Sequence, residues 1–236
     1  MIILDKSENK SIPENVPVPG KTIFVHIPKT GGNTVLRNLT NEVQGLINNS
    51  KDGSIYWDDL KSIALDNSNK EIRAWINGWH NHRGVNLEVL NNLKQKGFYS
   101  FSVVRDPFDR ALSCYNWYRS YLRKQHKVTF VEFLKSRSFM EASGLFAPQS
   151  SFICDKDGNV LVEKVCKLEN LQEDMKEVCQ KINLDYDQMD FGLVINKNKR
   201  EKPLPELYRS DPMAKDLVLE IYKKDFEIFR YREDYE

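Results

Sequence analysis

With 236 residues, 40% of them hydrophobic and 29% charged, the chain is long enough to bury one sizeable core and short for two. Its 35 Lys+Arg against 34 Asp+Glu leave a formal charge of +1, which excludes a global field of the kind that draws in nucleic acid or an acidic polymer. No apolar run approaches the roughly 20 residues needed to span a bilayer, and Met1 to Gly20 has neither a basic n-region nor an apolar h-region.

Neither a transmembrane segment nor a secretory leader is therefore expected, although a trimmed anchor would leave the same sequence. Cys114, Cys154, Cys166 and Cys179 lack C-x-x-C spacing and fit reduced thiols in a cytoplasmic protein.

Residues 1–20 carry Pro13, Pro17 and Pro19 among polar residues and read as a flexible lead-in, followed by a single domain over 21–236. Thr22 to Ile27 is a β-branched and aromatic run, bounded by Pro28 and the Gly31-Gly32 pair, that predicts a buried strand. Val35, Leu36 and Leu39, then Val43, Leu46 and Ile47, recur at helical spacing. Glu71 to Gly78 predicts another strand, and Asn86 to Leu93 a helix closed by Gly97.

Phe98 to Val104 is a further strand, after which Asp106-Pro107 suits an N-cap and first helical residue for a helix running to Arg123. Val160 to Leu168 predicts a strand and Leu171 to Ile182 a helix. Asp211-Pro212 opens a long helix with Leu217, Ile221, Phe226 and Phe229 inward and Lys215, Lys223 and Lys224 in water. The alternation predicts an α/β fold with a central parallel sheet flanked by helices, whose ligands bind at the carboxyl ends of the strands.

Two motifs lie at such ends. In the first, Phe24 to Thr34, the glycines Gly31 and Gly32 let backbone amides approach an anion, and the following helix N-terminus adds unpaired N–H groups and partial positive charge. Lys29 supplies a full charge, and Thr30, Asn33 and Thr34 can add side-chain hydrogen bonds. Lys29 precedes the glycines, whereas a Walker A loop places its lysine after them, so a nucleoside triphosphate is not the first expectation. A tight turn with Lys29 as a plain surface charge is the alternative.

In the second motif, Ser102 to Tyr115, Arg105 ends the strand and Ser113 lies about two helical turns on, where both can share a phosphate. An Arg105–Asp109 ion pair with Ser113 on an idle helix face is the competing arrangement.

The HIPKTGG loop followed by RDPFDRxLSxY resembles the sulfotransferases that use 3′-phosphoadenosine 5′-phosphosulfate (PAPS), in particular the heparan sulfate and uronosyl 2-O-sulfotransferase-like branch. The resemblance implies a P-loop-NTPase-like three-layer fold. It also implies that Lys29, Thr30, Gly31, Gly32, Asn33 and Thr34 hold the 5′-phosphosulfate while Arg105 and Ser113 hold the 3′-phosphate. The basic stretch Asn196 to Arg200 is similar to the family's variable closing loop, which would bring Lys199 and Arg200 to the nucleotide; a solvated basic loop is the other reading. Asn33 stands where threonine or serine is commoner.

Trp79-His80-Asn81-His82-Arg83 is similar to the histidine element of the 2-O branch, implying that His82, or His80 two residues before it, takes the acceptor's proton. Structural histidines are the plainer alternative, and a metal site lacks a third ligand, so no metal is expected. The implied acceptor is a hydroxyl, on a saccharide by resemblance. Trp75, Trp79, Tyr115, Trp117, Tyr118 and Tyr121 could stack on sugar or belong to the core. A small-molecule kinase of the P-loop type and a non-catalytic carbohydrate-binding relative are the rival readings, and the sequence states no oligomer.

Overall fold

A computed structural model describes residues 2–4, 22–41, 71–77, 94–95, 97–121, 128–136, 145–192 and 204–234. Its centre is β2 (Thr22–His26), whose five residues are all buried. A strand covered on both faces needs a nearly continuous apolar run, and TIFVH supplies one. Beside it lie β3 (Glu71–Asn77) and β4 (Tyr99–Val104), both parallel to it, with Val25 opposite Ile76 on one side and Ser102 on the other. β5 (Lys164–Lys167) extends the parallel set from β4, and β1 (Ile2–Leu4) closes the other edge antiparallel to β3.

The strand order β1-β3-β2-β4-β5 has a functional consequence. After β2 the chain first adds β3 on one side and then crosses to add β4 on the other. The loops leaving β2 and β4 therefore part company at their carboxyl ends and open a crevice there, the usual ligand position in a doubly wound sheet.

Helices cover both faces. Phe24, Phe101 and Val103 pack on Val35 and Leu39 of α1 (Gly32–Asn41) and on Leu171, Met175 and Val178 of a later helix. Phe24 and Phe101 stack with ring centroids 4.9 Å apart, and burying such a side chain contributes about 1.5–3 kcal/mol. On the opposite face Ile23, Val25 and Val104 meet Phe152, Ile153 and Phe229. A third cluster joins α2 (Pro107–Tyr121) and α3 (Phe130–Lys135) to the C-terminal helices through Phe108, Phe133, Val218 and Phe226. The remaining helices are α4 (Ser150–Ile153), α5 (Leu171–Lys181), α6 (Leu204–Ser210), α7 (Pro212–Ile221) and α8 (Lys223–Phe229).

The expected strands at 22–27, 71–78 and 98–104 and the helix at 171–182 are present to within a residue. The Asp106 carboxylate accepts from the Asp109 N–H at 3.1 Å, with Pro107 the first helical residue, as the N-cap reading requires. Two expectations change. The strand expected over Val160 to Leu168 is only Lys164–Lys167, with Val160 making an isolated bridge to Cys154. The long C-terminal helix breaks at Tyr222; Phe226 and Phe229 beyond the break are buried as expected, but before it the buried face is Ala214, Val218 and Tyr222, with Leu217 and Ile221 only half-buried. α3 was not anticipated, although Thr129 and Glu132 form a capping box at its start. The helix expected over 86–93, most of the 1–20 lead-in and the continuation of α1 beyond Asn41 lie outside the described residues.

All four cysteines are buried and free, and burial raises the thiols of Cys154 and Cys179 to about 11 and that of Cys166 to about 12. Among the described residues no helix is long and apolar enough to cross a membrane.

Candidate functional site

The first loop is shaped by its own residues. Lys29 and Gly31 both take positive φ, 68° and 86°, a backbone form that turns successive N–H groups toward a common concavity. For lysine that conformation costs about 1–2 kcal/mol, so a charged side chain occupies a place where glycine or asparagine would sit more easily. The Thr30 hydroxyl donates to the Ile27 carbonyl at 2.8 Å, and the Thr34 N–H donates to the Gly31 carbonyl at 2.9 Å, closing the turn into α1. Thr30 thus spends its one hydroxyl proton inside the loop, while Asn33 is exposed at the start of the helix and Thr34 is buried.

Gly32 is there because the loop lies directly on the His26 ring. A Cβ at Gly32 would sit 2.0 Å from Cδ2 and 2.2 Å from Nε2 of that imidazole, and one at Gly31 would sit 2.4 Å from Cδ1 of Leu168. Burial, helped by the nearby Lys29 charge, lowers the His26 pKa to about 4, so the ring beneath the loop is neutral at physiological pH. The crevice side is the charged one. Lys29 is held below its ordinary pKa by burial, with Cys114 opposing and the Arg105 guanidinium adding repulsion. A bound anion would relieve both the desolvation and the repulsion.

The second loop brings Arg105 to the same place. Its Nη1 donates to the Lys29 carbonyl at 3.2 Å, joining the two motifs across 76 residues of sequence. Nε and Nη2 donate to Asp109 Oδ2 at 2.9 and 2.6 Å, so the competing ion pair of the sequence reading is formed. That pair does not exhaust the guanidinium, which carries five N–H groups. Ser113 is half-buried on α2. His80, His82, Lys199 and Arg200 lie outside the described residues, as do Trp79 and the side chains of Trp75 and Tyr121. Tyr115, Trp117 and Tyr118 pack against the α2–α3 core, and Tyr115 donates its hydroxyl to the Val128 carbonyl at 2.8 Å.

Four further residues frame the site without having stood out in the sequence. Arg110, fully buried, donates from Nε to the Pro28 carbonyl at 3.0 Å and from Nη1 and Nη2 to Ala147 and Leu145 at 2.9 and 3.1 Å. Gln149 pairs with the Arg105 main chain, and Asp225 accepts from the main chain of Gln149 and Ser150. Glu169 accepts from the Asp106 N–H at 2.7 Å and from the Tyr231 hydroxyl at 3.0 Å. Only Arg110 lies within a motif, and no local spacing announces the partners of the others.

Residues 19–232 match the family profile described as the sulfotransferase family. No curated protein matches the chain. Among solved structures, mouse sulfotransferase SULT7A1 complexed with PAP is similar at a TM-score of 0.47 and 14% identity, over 93% of this chain and 92% of that one. A sulfotransferase from Alicyclobacillus acidocaldarius is similar at a TM-score of 0.46 and 13% identity, over 92% of this chain and 100% of the other.

Proposed function

The chain belongs to the sulfotransferase family, and on that footing we propose that it transfers a sulfuryl group from PAPS to a hydroxyl of an acceptor, a saccharide, by in-line displacement. The observation that carries the reading is the pairing of Lys29 and Arg105. Arg105 at the end of β4 donates to the Lys29 carbonyl after β2, and its guanidinium adds to the burial that holds the Lys29 ammonium below its ordinary pKa, a cost that a bound anion would offset.

PAPS supplies the sulfuryl group on a phosphate leaving group and, through its 3′-phosphate, a second anion. The residues fit both. Lys29 and the backbone amides from Gly31 to Asn33 face the 5′-phosphosulfate and stabilise the charge that grows on the phosphate as the S–O bond breaks. Thr30 keeps that loop in shape, and Asn33 and Thr34 offer side-chain contacts. Arg105 and Ser113 bind the 3′-phosphate, Arg105 using the N–H groups that Asp109 and Lys29 leave it. Lys199 and Arg200 close over the nucleotide.

His82 accepts the proton of the attacking hydroxyl, with His80 as the alternate. β3 ends at Asn77, beside His26, so His80 and His82 follow that strand end by three and five residues. β3 runs parallel to β2, so both histidines follow a strand end at the same edge of the sheet as the crevice. A neutral imidazole in this role is typically worth about 10²–10⁴-fold in rate. No step calls for a metal. One domain over 21–236 carries the activity, and four buried thiols suit the reducing cytoplasm.

A thermal-shift titration with adenosine 3′,5′-bisphosphate (PAP), ADP and ATP tests the reading. At 100 times its Kd, PAP should stabilise the fold by about 2.7 kcal/mol. Stabilisation by ATP in preference to PAP would replace the sulfotransfer reading with a kinase.

A further inference from the structure

The β4 ladder stops one residue short of Arg105. Its last pair with β5 is Val104 with Lys167, and its last pair with β2 is Ser102 with Val25. Arg105 therefore leaves the sheet with a peptide N–H and C=O that no strand takes up, at the point where its side chain has to be aimed.

Both groups are taken by one side chain. The Arg105 N–H donates to Gln149 Oε1 at 2.8 Å, and Gln149 Nε2 donates to the Arg105 carbonyl at 2.8 Å. The carboxamide acts as a one-residue substitute for a neighbouring strand, offering an acceptor and a donor in one plane as a peptide would. Gln149 is fully buried and is itself anchored. Its N–H donates to Asp225 Oδ2 at 2.7 Å, and the Ser150 N–H donates to Oδ1 at 2.8 Å, so both carboxylate oxygens hold the segment that carries the amide. Arg110 ties Leu145 and Ala147 of the same segment to the Pro28 carbonyl of the first loop.

We propose that Gln149 is a positioning residue for the 3′-phosphate of the donor: it holds the Arg105 main chain so that the guanidinium meets that phosphate, and Asp225 holds Gln149. The inference rests on the reading of Arg105 as the 3′-phosphate partner. Gln149 itself bonds only that arm of the donor site: the Lys29–Gly32 turn closes on its own hydrogen bonds and takes the Arg105 guanidinium at the Lys29 carbonyl, with no bond to Gln149. Among common side chains glutamine alone has this reach together with both a donor and an acceptor; glutamate keeps only the acceptor and leucine neither.

The test compares equilibrium binding of PAP with that of adenosine 5′-monophosphate, which lacks the 3′-phosphate, to the full chain and to Gln149→Leu and Gln149→Glu. The native chain should prefer PAP. Gln149→Leu should compress that preference about tenfold by weakening PAP while AMP affinity stays within about twofold, and Gln149→Glu should lie between. An unchanged PAP-to-AMP ratio in Gln149→Glu, or equal weakening of both ligands, would overturn the positioning role and leave the donor reading standing. A native chain that binds both nucleotides equally would overturn the reading of Arg105 and the inference together. Should Gln149→Leu fail to fold, Gln149→Glu decides.

Discussion

The two loops that face the crevice are held in opposite ways. The loop after β2 takes its bend mostly from its own residues: Thr30 bonds to Ile27, Thr34 to Gly31, and Lys29 and Gly31 turn the chain between them, with Arg110 and Arg105 reaching only its Pro28 and Lys29 carbonyls. The loop after β4 is held from afar, by Gln149 44 residues on and Glu169 63 residues on, with Asp225 behind Gln149 by a further 76. A self-contained loop can be damaged only by touching it. A loop held from outside can be damaged by changes that never approach the ligand.

The sharpest way to break the first loop is at its cation. Lys29→Asn keeps a residue that tolerates positive φ and removes a desolvated charge, so thermal stability should hold or rise while turnover at saturating donor falls about 10²–10³-fold. Parallel melting curves and initial rates would show the two moving apart; a loss of both would mean that Lys29 is structural.

The floor of the same loop predicts a pH dependence. The His26 pKa lies near 4 in the folded chain against an ordinary 6.5, so the unfolded chain binds the proton more tightly. The contribution is fully present above pH 6.5 and is lost as pH falls toward about 4, amounting to about 3 kcal/mol. Denaturant melts between pH 7 and 4 should show this slope in the native chain and a flatter one in His26→Gln.

For the second loop, Asp225→Asn replaces one acceptor with a donor against two backbone N–H groups. It should cost about 2–3 kcal/mol and weaken PAP, although Asp225 makes no contact with the ligand in this reading. Gly32→Ala pushes a methyl into the His26 ring and should cost about 1–3 kcal/mol through an entirely local clash. If Asp225→Asn spared the second loop while Gly32→Ala disturbed it, the division between the loops would be wrong. The smallest effect belongs to Glu169→Ala, about 1 kcal/mol or less by chemical denaturation, because its bonds to Asp106 and Tyr231 lie at the solvent edge.

The same division explains what could be read in advance. β2, β4 and the start of α2 were legible because burial runs, Asp106 and Pro107 act on their immediate neighbours. So was the tight turn at Lys29–Gly32, whose geometry is local. The frame behind Arg105 was not legible, because a lone Gln149 and a lone Asp225 carry no periodicity and acquire meaning only when the sheet and C-terminal helices meet.

The break at Tyr222 was hidden for a related reason. Apolar residues continue at helical spacing through it, but the buried face has to shift so that Asp225 turns inward beside Phe226 and Phe229. The aromatics of α2 were open to two readings; the packing of Tyr115 and Tyr118 against Phe130 and Phe133, and of Trp117 against the same cluster, places them with the core.

The hydroxyl of Tyr231 on Glu169, with the Lys167 ammonium 4.3 Å from the same ring, ties one of the last residues described to the turn that also holds the Asp106 N–H. During synthesis Arg105 leaves the ribosome well before Asp225 and Tyr231 exist. At about 5–20 residues per second the interval is roughly 6–25 s, during which the nascent chain has every residue of the first loop but not yet the Asp225 carboxylate that anchors Gln149. A partly made chain of this protein would therefore carry both loops before the second could be held in its final shape.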